Sequence, residues 1–212
     1  LWKLRNGDRM YVRAKAKGHF TLPKLVPEIE DEKRQMVFVS AGTGLAPFLS
    51  IARDFKSKGR ADLLSRCCIL HGVSYPNELA YKFELEELCK EHGMNYLGTV
   101  SRAHEVPIYS GAAGRVESHF EGEKLAKLEE MLGLEKGGFT PENALVFICG
   151  LQGTIGKTIE YLAERGFIPD NRTLRKAFSV NPEAKPTVFF EQYDTEPVLD
   201  LKDEALVARL SG

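Results

Sequence analysis

Residues 36 to 40, "MVFVS", form a short unbroken apolar run, which gives way to Ala-Gly-Thr-Gly and then to the periodic stretch "LAPFLSIARDF". A continuous apolar run of this length marks a strand buried on both faces. The stretch after it predicts a helix over roughly residues 46 to 58, with Pro47 in the first turn, where a missing N–H is tolerated. The same alternation continues down the chain. "RCCILHGV", "NYLGTVS", "NALVFICG" and "PTVFFEQY" read as strands. Between them "PNELAYKFELEELCKEHG", a stretch near 118 to 132 and "GTIGKTIEYLAERGF" read as helices. Strands alternating with helices predict right-handed βαβ units. The fold class is therefore α/β, a doubly wound parallel five-stranded sheet covered on both faces. Leu79, Phe83, Leu85 and Leu88 make an apolar stripe on the second helix, read as core packing.

The flanks have a different grain. Residues 8 to 16, "DRMYVRAKA", alternate in part after a Gly7-Asp8 turn and predict a half-exposed strand. "LPKLVPEIEDEKRQ", with its prolines and charge run, reads as an irregular connection between two units. The chain opens at Leu1 without methionine or capping signal, so it is expected to be part of a longer polypeptide. At the other end, "LKDEALVARL" predicts a short helix.

Composition narrows the class without naming it. In 212 residues, 43% hydrophobic and 28% charged content is that of a soluble globular protein. A net charge of -1 provides no global basic field for nucleic acid or an anionic membrane. No apolar run reaches spanning length, and nothing at the start of the sequence reads as a signal peptide. Cys67, Cys68, Cys89 and Cys149 form no Cys-x-x-Cys, which argues against a disulfide framework or zinc site and for a reducing, cytoplasmic setting. His19, His71, His92, His104 and His119 lack metal-ligand spacing, so no metal site is expected.

Candidate chemistry sits at the strand ends, because ligands of open parallel sheets bind beyond the carboxyl tips. Gly42, Thr43 and Gly44 follow the first strand, where bare backbone and helix N–H groups suit a phosphate. The same glycines also suit an ordinary turn, and the third glycine of the dinucleotide fingerprint is absent. Ser101 and Arg102 end the third strand and Arg115 follows in "GAAGR", a set that suits a phosphate monoester, although without the topology a solvated surface is the preferred reading. Cys149 and Gly150 end the fourth strand. The thiol there is expected to face the crevice, beside a glycine that admits a flat ring; the alternative is a small buried hydrophobe. No general base accompanies it, so it is not read as a nucleophile.

Taken in order, "GTGLAPFLSI", "HGVSYPNELAYKFELEEL", "TVSR", "GR", "CGLQG" and "FFEQY" resemble the ferredoxin–NADP reductase family, over nearly all of residues 1 to 193. The resemblance implies an antiparallel flavin-binding barrel followed by an NADP-binding sheet. It makes residues 1–30 a remnant of the FAD barrel, 31–193 the NADP-binding domain and 194–212 an extension. "GHFT" is similar to the family's flavin-pyrophosphate element, which implicates Gly18 and Thr21. The family's Arg-x-Tyr-Ser motif has no match, since Tyr109-Ser110 follows Val106-Pro107-Ile108 without an arginine in register.

By the same resemblance, Gly42, Thr43 and Gly44 line the dinucleotide pyrophosphate. Ser101, Arg102 and Arg115 hold the 2′-phosphate, with Ser74 standing where bacterial relatives often carry another arginine. Cys149, Gly150 and Leu151 flank the nicotinamide, Tyr193 stacks on the flavin as a gate, and Glu191 assists proton movement. The implied function is an FAD-dependent NADPH oxidoreductase passing electrons to ferredoxin, flavodoxin or another iron–sulfur protein, with this chain alone inactive. The reductase component of an oxygenase and an isolated nicotinamide-binding module are the alternatives.

Overall fold

The computed structural model describes residues 5–12, 14, 20–192 and 196–211. Six parallel strands make one sheet: β1 (Gln35–Ala41), β2 (Cys67–Val73), β3 (Asn95–Val100), β4 (Ala112–Ala113), β5 (Ala144–Gly150) and β6 (Val188–Gln192). Their order is β4-β3-β2-β1-β5-β6. The order reverses at β1 and β5, which lie side by side with Met36 opposite Leu145 and Ser40 opposite Cys149. Five strands were expected from the sequence. The sixth, β4, is two alanines paired with Thr99 and Val100, too short to leave an apolar pattern.

The helices are α1 (Leu22–Leu25), α2 (Leu45–Ser57), α3 (Ala61–Leu64), α4 (Lys82–His92), α5 (Gly122–Met131), α6 (Gln152–Ala163), α7 (Arg172–Ala177) and α8 (Glu204–Leu210). Side chains alternate across the central strands and divide the core in two. Met36 and Phe38 of β1 and Leu145, Phe147 and Cys149 of β5 join Leu45, Phe48, Leu49 and Phe55 of α2. Val37, Val39, Val146 and Ile148 point the other way, into Leu125, Leu128, Ile155 and Ile159 of α5 and α6. On the α2 side, Phe38 lies 5.0 Å from Phe48 and 5.2 Å from Phe147, and Phe147 lies 5.2 Å from Phe189. Each such pair adds about 0.5–1.5 kcal/mol beyond burial, so this row ties three strands to one helix.

Several elements differ from the sequence reading. The second predicted helix starts only at Lys82, because residues 76 to 78 form a 3-10 turn and Tyr81 takes a left-handed φ of 56°. Its stripe is only half buried: Leu85 and Leu88 reach the core, whereas Phe83 is 82% exposed. The helix predicted near 118 to 132 is a 3-10 segment, Val116–Phe120, followed by α5. No strand forms among described residues 8 to 12, where Tyr11 is 88% exposed. A barrel strand needs neighbours to complete its ladder and cover its apolar side, and the described residues supply none. The connection after it is less irregular than expected: α1 and a 3-10 turn at Ile29–Asp31 dock Leu22 and Ile29 onto the α2 face.

The chain beyond residue 196 returns across α6. Leu199 and Leu210 enter the α6 side of the core, and α8 forms where a helix was predicted, capped by the Asp203 carboxylate accepting from Leu206 N at 3.0 Å.

Candidate functional site

A cleft of about 390 Å³ opens at the carboxyl tips of the strands, where their order reverses. Gly42 and Thr43 reach it from β1, Ser74 from β2, Ser101 and Arg102 from β3, Arg115 from the β4 turn and Leu151 from β5. Six sequence-predicted site residues thus share one wall-to-wall space. Two helices begin at its rim. α2 follows the 3-10 turn Gly42–Gly44, and α6 starts at Gln152, one residue after Leu151. Their unpaired N–H groups and dipoles favour an anion here.

Gly42 has a φ of 55° and open space around it, so its bare backbone faces the cleft without a side chain to bar a ligand. Gly44 does a different job. A Cβ there would sit 1.9 Å from the Cys149 carbonyl oxygen, so this glycine lets the β1 turn pack against the β5 tip. Gly150 fits in the same way against Ala41, 2.8 Å from where its own Cβ would stand. His71 supports the turn from below. It is buried on β2, one ring nitrogen bonds the Gly42 backbone, and burial lowers its pKa, so it stays neutral.

Cys149 departs from expectation. Its side chain is 0% exposed and packs under α2 rather than facing the crevice. The cause is strand parity: residues 145, 147 and 149 point to the α2 face, and Leu45 and Phe48 of the first helical turns cover that face. Leu151, by contrast, is 73% exposed at the rim. Glu191 pairs in register with Cys149 at the end of β6 and is half-buried there. Thr21 lies elsewhere, as the cap residue of α1 beside a second cleft of about 290 Å³ formed with Phe20, Pro47 and Ile51. Gly18 and Tyr193 fall outside the described residues.

The polar end of the cleft holds groups that motif reading missed. Arg102 Nη1 donates to the Tyr75 hydroxyl at 2.9 Å, and that hydroxyl donates to Glu105 Oε2 at 2.8 Å. The Tyr75 hydrogen bond, followed by the fields of Tyr75, Glu105 and Glu78, pushes the Arg102 pKa up. Arg115 Nη1 lies 3.8 Å from Glu117 Oε1, and Glu117 is buried. Glu78 lines the cleft too, accepting from the backbone N–H of Ser74 at 2.9 Å and of Tyr75 at 3.0 Å. Glu78 closes a capping arrangement with Tyr75, but with a tyrosine where the signature has serine or threonine, the sequence pattern does not mark it.

No helix among the described residues is long and apolar enough to cross a membrane. The oxidoreductase NAD-binding domain family matches residues 38–158. A ferredoxin–NADP reductase from Azotobacter vinelandii is 30% identical over 168 residues, which cover 76% of this chain and 59% of that protein. One from Pseudomonas aeruginosa is 27% identical over 191 residues, covering 79% and 69%. Among solved structures, a flavohemoglobin from Malassezia yamatoensis with bound FAD and heme aligns with a TM-score of 0.52 at 18% identity, over 84% of this chain and 35% of that one. This last likeness is one of fold. The family match runs through the five strand tips that build the cleft; similar to ferredoxin–NADP reductases in sequence, the chain belongs to the oxidoreductase NAD-binding domain family.

Proposed function

We propose that this chain is the NADP-binding part of a flavin-dependent ferredoxin or flavodoxin–NADP reductase. The observation that carries the reading is the convergence of Gly42, Thr43, Ser101, Arg102 and Arg115 on one cleft. The donor set fits the nucleotide. Exposed glycine backbone and the start of α2 would hold the pyrophosphate. The Ser101 hydroxyl and two guanidiniums would hold the 2′-phosphate. Gly150 and Leu151 would wall the nicotinamide end, with Cys149 as a packed floor beneath them rather than a reactive group. Bound together, NADPH and FAD supply the hydride and single-electron chemistry. The protein's share is orientation and exclusion of water.

The described residues do not build a flavin site by themselves: near α1 they offer the Thr21 hydroxyl beside Phe20 and Pro47. FAD is assigned to the intact protein, with residues 1–30 as the end of its barrel, 31–193 as the NADP domain and 194–212 as an extension. Gly18 and Thr21 would complete the flavin pyrophosphate site, and Tyr193 and Glu191 would meet the flavin ring. Ferredoxin, flavodoxin or another iron–sulfur protein is the proposed acceptor, in the cytoplasm, where the buried Cys67 and Cys68 thiols stay reduced.

Replacing Arg102 and Arg115 together by alanine tests the assignment by calorimetric titration of the chain with NADP⁺ and NAD⁺. Each charge-assisted contact contributes about 1.5–3 kcal/mol. The double variant should therefore weaken NADP⁺ at least about tenfold and NAD⁺ less than about twofold. Equal losses for the two nucleotides would refute it.

A further inference from the structure

The two arginines of the cleft are not waiting unpaired. Arg102 lines the cleft, yet its Nη1 is bonded to the Tyr75 hydroxyl and its guanidinium lies over the Tyr75 ring, 5.5 Å from the centroid. The phenol has one proton to give, and it gives that proton to Glu105. The result is a directed chain, guanidinium to phenol to carboxylate, which engages one nitrogen of Arg102 at the wall of the cleft. His104 Nε2 lies 3.8 Å from the other Glu105 oxygen, and Glu105 keeps 43% of its side chain in solvent. Arg115 likewise has Glu117 beside it, and Glu78 forms part of the same lining. Around the place read as the 2′-phosphate site, the two guanidiniums thus have three carboxylates nearby, Glu78 and Glu117 on the cleft lining and Glu105 behind Tyr75.

A phosphate monoester entering this site meets repulsion that a ribose hydroxyl does not, and it must also take Arg102 from Tyr75. Carboxylates near the adenosine ribose are the usual partners of a free 2′-hydroxyl, and arginines those of a 2′-phosphate. Ser74 adds no further cation where the chain leaves β2. We infer that Glu105 is a positioning residue for nucleotide choice: through Tyr75 it restrains Arg102 and narrows the preference for the 2′-phosphorylated dinucleotide, so that the site accepts NADH as well as NADPH. The inference rests on the nucleotide assignment proposed above and adds the residue that sets its selectivity.

The test compares wild type, Glu105→Gln, Arg102→Ala and the remote surface variant Glu130→Gln, titrating the 212-residue chain with NADP⁺ and with NAD⁺. An exposed charge interaction is worth up to about 1 kcal/mol, so Glu105→Gln should widen the NADP⁺ over NAD⁺ preference about three- to fivefold. The gain should shrink in high salt, and Glu130→Gln should leave the ratio in place. A packing role for Glu105 would move both nucleotides together and overturn the inference, as would an equal widening in Glu130→Gln. Should wild type prefer NADP⁺ and Arg102→Ala abolish that preference while Glu105→Gln leaves it unchanged, the nucleotide assignment stands and this inference falls. A wild type without preference that ignores Arg102→Ala overturns both.

Discussion

Gly44 and Gly42 stand two residues apart in one turn and answer to different constraints. A methyl at Gly44 would collide with backbone, at 1.9 Å from Cys149 O and 2.6 Å from its carbon, and backbone cannot swing aside as a side chain can. At Gly42 the space is open and only the φ of 55° resists a side chain. Gly44→Ala should therefore cost about 1–3 kcal/mol of unfolding free energy or more, because the β1 turn must part from the β5 tip. Gly42→Ala should cost about 1–2 kcal/mol, the strain of a left-handed residue. Urea unfolding checks the order. Nucleotide titration of the folded fraction should show Gly44→Ala weakened for NADP⁺ and NAD⁺ alike, since the pyrophosphate is common to both. A milder effect at Gly44 than at Gly42 would mean that the two strand tips are not held in contact. Sequence shows a glycine turn after a strand, but not that one glycine opens its backbone to the cleft and the other meets a strand partner more than a hundred residues away. Cys149 failed for a related reason. Its place at a strand tip was legible, but which face it takes depends on the parity of β5 and on what α2 covers.

At the scale of elements, the long apolar runs were the most legible part of the chain. β1, β2 and β5 are buried along nearly their whole length, so composition alone marked them. The segments that shape the cleft are short and irregular: β4, the 3-10 turn at residues 76 to 78, and Val116–Phe120. Two of them take their conformation from tertiary partners, β4 from its pairing with Thr99 and Val100 and the last from the burial of Val116 and Phe120 in the core. The C-terminal segment illustrates the same limit, because its helix was legible and its docking was not. Gln152 Nε2 donates to Pro197 O at 2.6 Å, Arg209 pairs with Glu160 at 2.9 Å and Glu164 at 3.3 Å, and Ser211 Oγ bonds Ala177 O at 3.2 Å. Gly156 makes the approach possible, since a Cβ on it would stand 2.1 Å from Val198 O. In a free helix interior, Gly→Ala stabilises by about 1 kcal/mol. Here the sign should reverse: Gly156→Ala should destabilise the full chain by about 1–3 kcal/mol and strip residues 197 to 211 of hydrogen-exchange protection. In a chain ending at residue 196 the same substitution should be neutral or stabilising. Retained protection in the full-length variant would show that the segment does not depend on this contact.

At the scale of the whole molecule, two buried histidines among the described residues, His119 and His71, give stability an acid sensitivity. His119 is buried in the segment that follows Arg115, with Nε2 lacking a partner, and burial pushes its pKa down to about 4, with Lys124 adding to the effect. His71, under the Gly42 turn, is shifted the same way by burial. In the unfolded chain a histidine protonates near 6.5. Between about 6.5 and 4, therefore, the unfolded state binds a proton that the folded state refuses, and stability falls as pH drops through that window. For His119 the full loss is up to about 3 kcal/mol. Glu32 acts lower down. Its hydrogen bonds from Arg34 hold it at about 2, so its contribution is complete above the unfolded carboxylate value near 4.5 and fades only as pH falls toward 2. Two acid transitions should thus be separable by urea unfolding at closely spaced pH values. His119→Leu should flatten much of the upper one, leaving the share of His71, and leave the lower one in place. A wild-type stability that stays level from pH 7 to 5 would mean that these histidines are not held neutral, and the turn at the mouth of the cleft would then need another support.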